Sequence, residues 1–199
     1  MNYPKTILNI IECFKKFPGI GEKTAERMAL FTLEMDEEVL DLFSKSLKNV
    51  KRKIRKCEKC GSLTEEELCE ICKDKTRDNT TLCVVEECKN VILFEKIGSY
   101  RGMYHVLNGL ISPLEGINPD DININELLKR IKKEKIKEVI LALKPSIEGE
   151  TTALYIKKML EGEKIKVSKI AHGIPLGAEI DYIDQLTLEM AIEDRREIS

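Results

Sequence analysis

The chain of 199 residues contains no tryptophan, and aromatic residues make up only 5% of it. Any core must therefore be built from aliphatic side chains. No run of 18 apolar residues occurs, which excludes a membrane-spanning helix. The first residues lack a basic segment followed by an apolar run and a small-residue cleavage site, so a secretory signal is not expected. In a cytosolic setting the seven cysteines are expected to be reduced or metal-bound, not paired in disulfides. Internal repeats and low-complexity tracts are absent. So is a strong excess of either charge: 33 Lys and Arg stand against 35 Asp and Glu, a net of −2. A strongly basic nucleic-acid binder is thereby excluded.

Hydrophobic residues (42%) and charged residues (34%) are present in the proportions of a globular protein with a well-solvated surface. The length suits one large domain or a few small ones, at roughly 100–200 residues per domain. Charge is distributed unevenly. Residues 1–60 hold 13 basic and 9 acidic side chains, a net of +4, and residues 61–199 hold 20 and 26, a net of −6. This leaves room for a basic N-terminal module on an acidic body.

Residues 4–56 show helical periodicity. Ile7, Leu8, Ile10, Ile11 and Phe14 predict one helix, and Thr24, Ala25, Met28, Ala29 and Leu30 a second. Val39, Leu42, Phe43, Leu47, Val50 and Ile54 predict a third, ending in a run of six cations from Lys48 to Lys56. Those cations read either as solvated charges at a helix C-terminus or as a phosphate-contacting patch. Between the first two helices stands Pro18-Gly19-Ile20-Gly21-Glu22-Lys23. Gly19 and Gly21 permit a tight turn with positive φ and leave backbone N–H groups bare at the next helix start, where a phosphate oxygen is favoured. Lys23 and Arg27 share a face one turn apart. An ordinary helical turn is the alternative reading.

Cys57-Glu58-Lys59-Cys60, eight residues, then Cys69-Glu70-Ile71-Cys72 is the strongest local signal. Two residues between cysteines let both thiolates reach one ion, and two such knuckles complete a closed tetrahedral four-cysteine site for structural Zn²⁺. With four Cys ligands no position stays open for water, so the zinc is not catalytic. Cys13, Cys83 and Cys88 are left over, and Cys83 reads as a small core residue.

From residue 80 onward, short apolar runs alternate with helical stretches. Residues 82–85, 139–143 and 165–170 read as strands; residues 90–97, 123–135 and 151–160 read as helices, with a terminal helix over 186–196. This alternation predicts parallel βαβ units. Glu86 ends the first strand. After the second strand comes Lys144-Pro145-Ser146-Ile147-Glu148-Gly149-Glu150, whose carboxylates also suit a plain helix N-terminus.

The glycine turn, from Gly19 to Arg27, resembles the helix–hairpin–helix motif, which grips DNA backbones without reading bases. The strand ending at Glu86 and the 140–150 segment together resemble the Toprim domain. Catalytic Toprim enzymes carry two aspartates where this chain has Lys144 and Ser146, and those aspartates bind Mg²⁺ with the glutamate of the first strand. A lysine there repels the ion, so the resemblance implies a retained scaffold and lost metal chemistry. Helix–hairpin–helix, four-cysteine module and degenerate Toprim domain in this order resemble the RecR family of recombination mediators. Residues 98–107, 112–116, 170–177 and 193–197 also look like that family, which usually carries Asn in place of Lys144.

The resemblance implies a multidomain α+β protein. Its parts are a helical DNA-binding domain (1–56), a zinc finger (57–72), an α/β Toprim domain with a central, mainly parallel sheet (79–174) and a C-terminal segment (175–199). It implies a non-enzymatic, cytoplasmic, nucleoid-associated protein acting in DNA repair. The protein would bind DNA without base specificity as a ring-like homo-oligomer, a tetramer built from dimers. It would act with RecO and RecF to load RecA on single-stranded DNA. DNA contact is expected from Gly19, Gly21, Lys23 and Arg27, RecO contact from Glu148 and Glu150, and one zinc from Cys57, Cys60, Cys69 and Cys72. Two rivals belong to other classes: a catalytic Toprim nuclease or primase using Glu86 and Glu148 with Mg²⁺, and a zinc-ribbon adaptor that binds only proteins.

Overall fold

The computed structural model describes residues 3–171 and 173–195. The chain divides into two units, Met1–Ile54 and Arg55–Ser199. In the first, α1 (Lys5–Phe14), α2 (Glu22–Phe31), a 3-10 turn (Thr32–Glu34) and α3 (Glu37–Lys53) follow one another. Pro4 stands at the N-cap of α1, where a missing N–H removes no helical bond. Ile11 and Phe14 bury against Ala25 and Ala29 of α2, with Ile7, Ile10, Ile20 and Met28 around them. The two alanines have no exposed surface and let the helices approach closely. α3 forms where its periodicity predicts, but none of its residues is buried. Its apolar stripe of Leu42, Phe43, Leu47 and Val50 stands in solvent.

The second unit opens with a hairpin of two-residue strands, β1 (Arg55–Lys56) and β2 (Leu63–Thr64), and the one-turn helix α4 (Glu70–Lys73). An α/β layer follows: β3 (Asp78–Val85), α5 (Cys88–Ile97), β4 (Gly102–Val106), α6 (Ile124–Lys133), β5 (Glu138–Ala142), α7 (Ile147–Met159) and β6 (Lys166–Lys169). The four strands lie in the order β4-β3-β5-β6, all parallel. Leu82 and Val84 of β3 join the cluster that includes Leu127 and Ile131 of α6 and Ile156 of α7. Cys83 and Val85 join Val91 of α5 and Tyr104 of β4. Both faces of β3 are covered, which is why its sequence is a continuous apolar run without alternation. α8 (Gln185–Glu193) closes the chain, capped by Asp184, which accepts from the Thr187 N–H. The C-terminal part of its predicted span, Arg196, and the rest of the 193–197 tail to Glu197 lie outside the described residues, as does His172 of the 170–177 stretch. No helix among the described residues is long and apolar enough to cross a membrane.

Within the four-stranded sheet, β4 is the strand whose sequence gives no strand signal, because Tyr104 and His105 interrupt its apolar character. All five residues are buried, and the two polar ones carry their partners inside. Tyr104 donates its hydroxyl to Glu95 (2.7 Å), and His105 Nε2 meets the Asn123 carbonyl at 2.8 Å. Burial pushes the His105 imidazole down to about 4 against the pull of that carbonyl. Between its ordinary 6.5 and 4, the unfolded chain binds a proton that the folded chain refuses. Stability from this group is therefore complete above the unfolded value and falls as the solution is acidified. Between about pH 7 and about pH 5 the folded state should lose about 2 kcal/mol through this residue alone. Urea denaturation across that range should show the loss in the parent and not in His105→Gln. Parallel curves for the two proteins would refute it.

Candidate nucleic-acid interface and metal centre

The hairpin between α1 and α2 turns on Gly19, at φ +81°, in the left-handed region that favours glycine. Gly21 corrects the expectation that both glycines take positive φ. It is extended, with φ −84° and ψ 172°, and serves as N-cap of α2. A Cβ on Gly21 would meet no atom within 4 Å, so nothing inside the chain requires glycine there. The first backbone bond of α2 runs from the Ala25 N–H to the Gly21 carbonyl. The N–H groups of Glu22, Lys23 and Thr24 thus point out of the helix start without helical partners, and no side chain caps them. Lys15 lies 3.8 Å from Glu22 and offsets the one carboxylate in this turn. Lys23 and Arg27 are exposed, and among the described residues neither makes an ion pair. Bare N–H donors, a helix dipole and two unengaged cations are the chemistry that favours a phosphate oxygen.

In the second unit the four knuckle cysteines converge. Their Sγ atoms all lie within 4.8 Å of one another, and Cys60 and Cys69 are 3.6 Å apart. A tetrahedral ion with Zn–S bonds of about 2.3 Å needs sulfurs about 3.8 Å apart, so the set fits zinc. The Gly61 N–H donates to the Cys57 carbonyl (2.9 Å) and the Cys57 N–H to Ser62 (2.6 Å), closing the first knuckle. Cys69 caps α4, and Cys72 follows within it. Backbone N–H groups of Ser62 and Cys69 donate to the sulfurs of Cys60 (3.4 Å) and Cys57 (3.3 Å), an outer shell that orients the ligands. Hydrogen bonds to Cys69 and Cys72, then burial, push the Cys60 thiol up, while the Cys60 and Cys72 thiols pull Cys69 down. A divalent cation at this point favours the ionised form of the thiols that surround it.

Sequence reasoning missed Gly61, although a glycine directly after the first knuckle was a readable signal. At φ +76°, it lies where a Cβ would sit 3.0 Å from the Val106 carbonyl and 3.1 Å from Asn123 Nδ2. The Val106 N–H donates to Cys60 (2.8 Å), pressing the knuckle onto the end of β4. Of the remaining cysteines, Cys83 is a buried thiol pushed up to about 12 by that burial. Cys13 is exposed and Cys88 half-buried.

The sheet order reverses direction between β3 and β5, and their carboxyl ends meet at a switch point, where open α/β sheets place ligand sites. Glu86, directly after β3, and Lys144, two residues after β5, approach to 3.7 Å. Ser146 accepts from the Gly149 N–H (3.2 Å), capping α7, and donates to Glu148 (2.7 Å). That hydroxyl, first among several donors, holds Glu148 below the usual carboxylate range. Lys169, unmarked in the sequence, reaches Glu150 at 3.2 Å. The structure brings Glu86 to an ammonium and engages Glu148 and Glu150 separately. Among the described residues, no group of three or more carboxylates converges there on one point.

Four family models match the chain: RecR helix-hairpin-helix over residues 7–51, RecR four-cysteine zinc finger over 54–74, Toprim domain over 80–171 and RecR C-terminal over 173–196. They run in order and together span nearly the whole chain. The chain belongs to the RecR family of DNA repair and recombination mediators, with a structural zinc in its four-cysteine cluster and DNA binding through its helix–hairpin–helix.

Proposed function

We propose that the protein is a non-catalytic loader. It binds DNA backbones through Gly19, Gly21, Lys23 and Arg27 as a ring-like oligomer, a tetramer built from dimers. It acts with RecO and RecF in the bacterial cytoplasm, at the nucleoid, to place RecA on single-stranded DNA. The observation that carries the reading is the open start of α2, with three N–H groups and two unpaired cations on one turn. The basic N-terminal segment, +4 over residues 1–60, adds up when several copies assemble on one DNA molecule. Glu148 and Glu150 form the surface for RecO. The Toprim scaffold performs no phosphoryl chemistry, because the Lys144 ammonium holds Glu86 where a cation would bind. Mg²⁺-dependent DNA turnover that vanishes in Glu86→Gln would overturn this part of the reading.

The DNA contact is tested by a salt titration. Each phosphate neutralised contributes about −0.9 to the slope of log K against log salt on duplex DNA. The double variant Lys23→Ala, Arg27→Ala should bind all sequences more weakly, with a slope shallower by about 2 per hairpin engaged. Gly21→Ala provides the sharper probe. The backbone there suits alanine and the site is open, but alanine is a poorer N-cap than glycine, so folding stability should fall by no more than about 1 kcal/mol. The added methyl stands where a phosphate must approach, so DNA affinity should fall. Gly19→Ala should instead destabilise the unit by about 1–2 kcal/mol through its left-handed backbone. Unchanged DNA affinity in both Gly21→Ala and the double variant would reduce the hairpin to a structural turn and shift the contact to the cations of α3.

A further inference from the structure

A groove of about 610 Å³ runs between α5 and the zinc module, outside both the hairpin and the switch point. Its floor is apolar: Leu63 of β2, Ile71 of α4, and Val91 and Ile92 of α5. Leu63 and Ile92 are each 52% exposed. Leu93 and Ile97 of the same helix are also exposed, at 58% and 64%. Contiguous exposed apolar surface with a polar rim marks an interaction site.

The rim decides the occupant. Glu65, Glu66, Glu70 and Glu95 line it against the single cation Lys96. Glu95 is committed inward, held by Arg77 at 2.8 Å. Glu66 and Glu70 share one lysine, Lys73. Glu65 makes no ion pair among the described residues. The rim is therefore short of positive charge and repels phosphate. An apolar floor inside an acidic rim fits an amphipathic segment with apolar anchors three and four residues apart and Lys or Arg between them.

We propose that this groove docks a basic amphipathic segment of a partner protein, with its apolar anchors on Leu63, Ile71 and Ile92 and its cations at Glu65, Glu66 and Glu70. Ser62 and Cys69 also line the groove, so the zinc module is one of its walls and the zinc-loaded fold is needed to present it. The site is independent of the DNA contact, and its failure would leave that reading untouched.

The test uses the full-length, zinc-loaded protein with methyl-labelled Ile and Leu. The probe is a fluorescent synthetic peptide with leucines at helical spacing and lysines between them. Its control is the same peptide with glutamates for the lysines. The lysine peptide should bind and shift the methyl signals of Leu63, Ile71 and Ile92, and the glutamate peptide should not. Ile92→Lys and Glu65→Lys, both on exposed positions, should each weaken binding at least tenfold with zinc content and DNA affinity unchanged. Equal binding of the two peptides, shifts located elsewhere, or full affinity in Ile92→Lys would overturn the proposal. A change of oligomeric state in Ile92→Lys would also overturn it, making the groove an interface between copies of this chain.

Discussion

Cys60→Ala, or removal of the zinc by a strong chelator, should unfold the knuckle module and release the end of β4 with it. The module has little else to hold it. Its strands are two residues long, its helix is a single turn, and its own apolar contribution is Leu68 and Ile71 beside the cysteines. In small zinc modules the metal supplies on the order of 10 kcal/mol of folding free energy. The damage should spread, because the module does not stand apart from the sheet. Ile71 packs into the cluster of Val85 and Tyr104, and Cys72 packs against the cluster on the opposite face of the sheet. The Cys60 carbonyl accepts from Val106 (2.8 Å), and Lys59 pairs with Glu134 (3.2 Å). β4 is an edge strand, and the knuckle covers its end, so release exposes unpaired backbone groups that invite aggregation. Elemental analysis should find one zinc per chain in the parent. Hydrogen exchange in Cys60→Ala should show lost protection over residues 54–74 and in β4. A variant with no zinc and an unchanged melting temperature would refute this account.

The sequence was most readable where one physical requirement acts alone. Cysteine pairs two residues apart have few purposes, and the four sulfurs do converge. β3 and β5 are buried on both faces, and their aliphatic runs announce it. The signals fail where partners far along the chain satisfy a local conflict. Tyr104 and His105 break the apolar pattern of β4, yet Glu95 and the Asn123 carbonyl make their burial possible. β1 and β2 carry no periodicity at two residues each, because the knuckle turn and not the strand pattern brings them together. At the hairpin, two glycines look equivalent in sequence. Their roles differ: Gly19 is needed for its backbone angle, while Gly21 leaves open the space in front of the helix. The apolar stripe of α3 shows the opposite case, in which a strong pattern does not report burial within the chain.

Gly149→Ala should cost about 3 kcal/mol or more of stability, the upper end of what overpacking produces. It is the position at which sequence and structure disagree most about what glycine does. Its neighbours Glu148 and Glu150 suggest a charged helix start, where alanine would be an improvement. The reason for glycine is space. A Cβ at this position would stand 2.0 Å from the carbonyl oxygen of Lys144. That obstacle is backbone and cannot rotate aside. The turn from β5 into α7 would have to open. Opening it disturbs the Ser146 N–H bond to the same Lys144 carbonyl (2.9 Å) and the Ser146 cap on the Gly149 N–H. It also moves Lys144 relative to Glu86. One turn further on, Thr152 has no exposed surface and accepts from the Ile111 N–H (2.9 Å), so displacement of α7 would be passed to the loop after β4. Glu148→Gln and Glu150→Gln remove charge from the same helix start without adding volume and should leave the denaturation midpoint nearly unchanged. If this surface meets RecO, those two variants should lose RecO affinity while remaining folded, and Gly149→Ala should lose both. A urea midpoint for Gly149→Ala equal to that of the parent would mean that the turn is looser than its geometry indicates. The assignment of Glu148 and Glu150 would then rest on their RecO titrations alone.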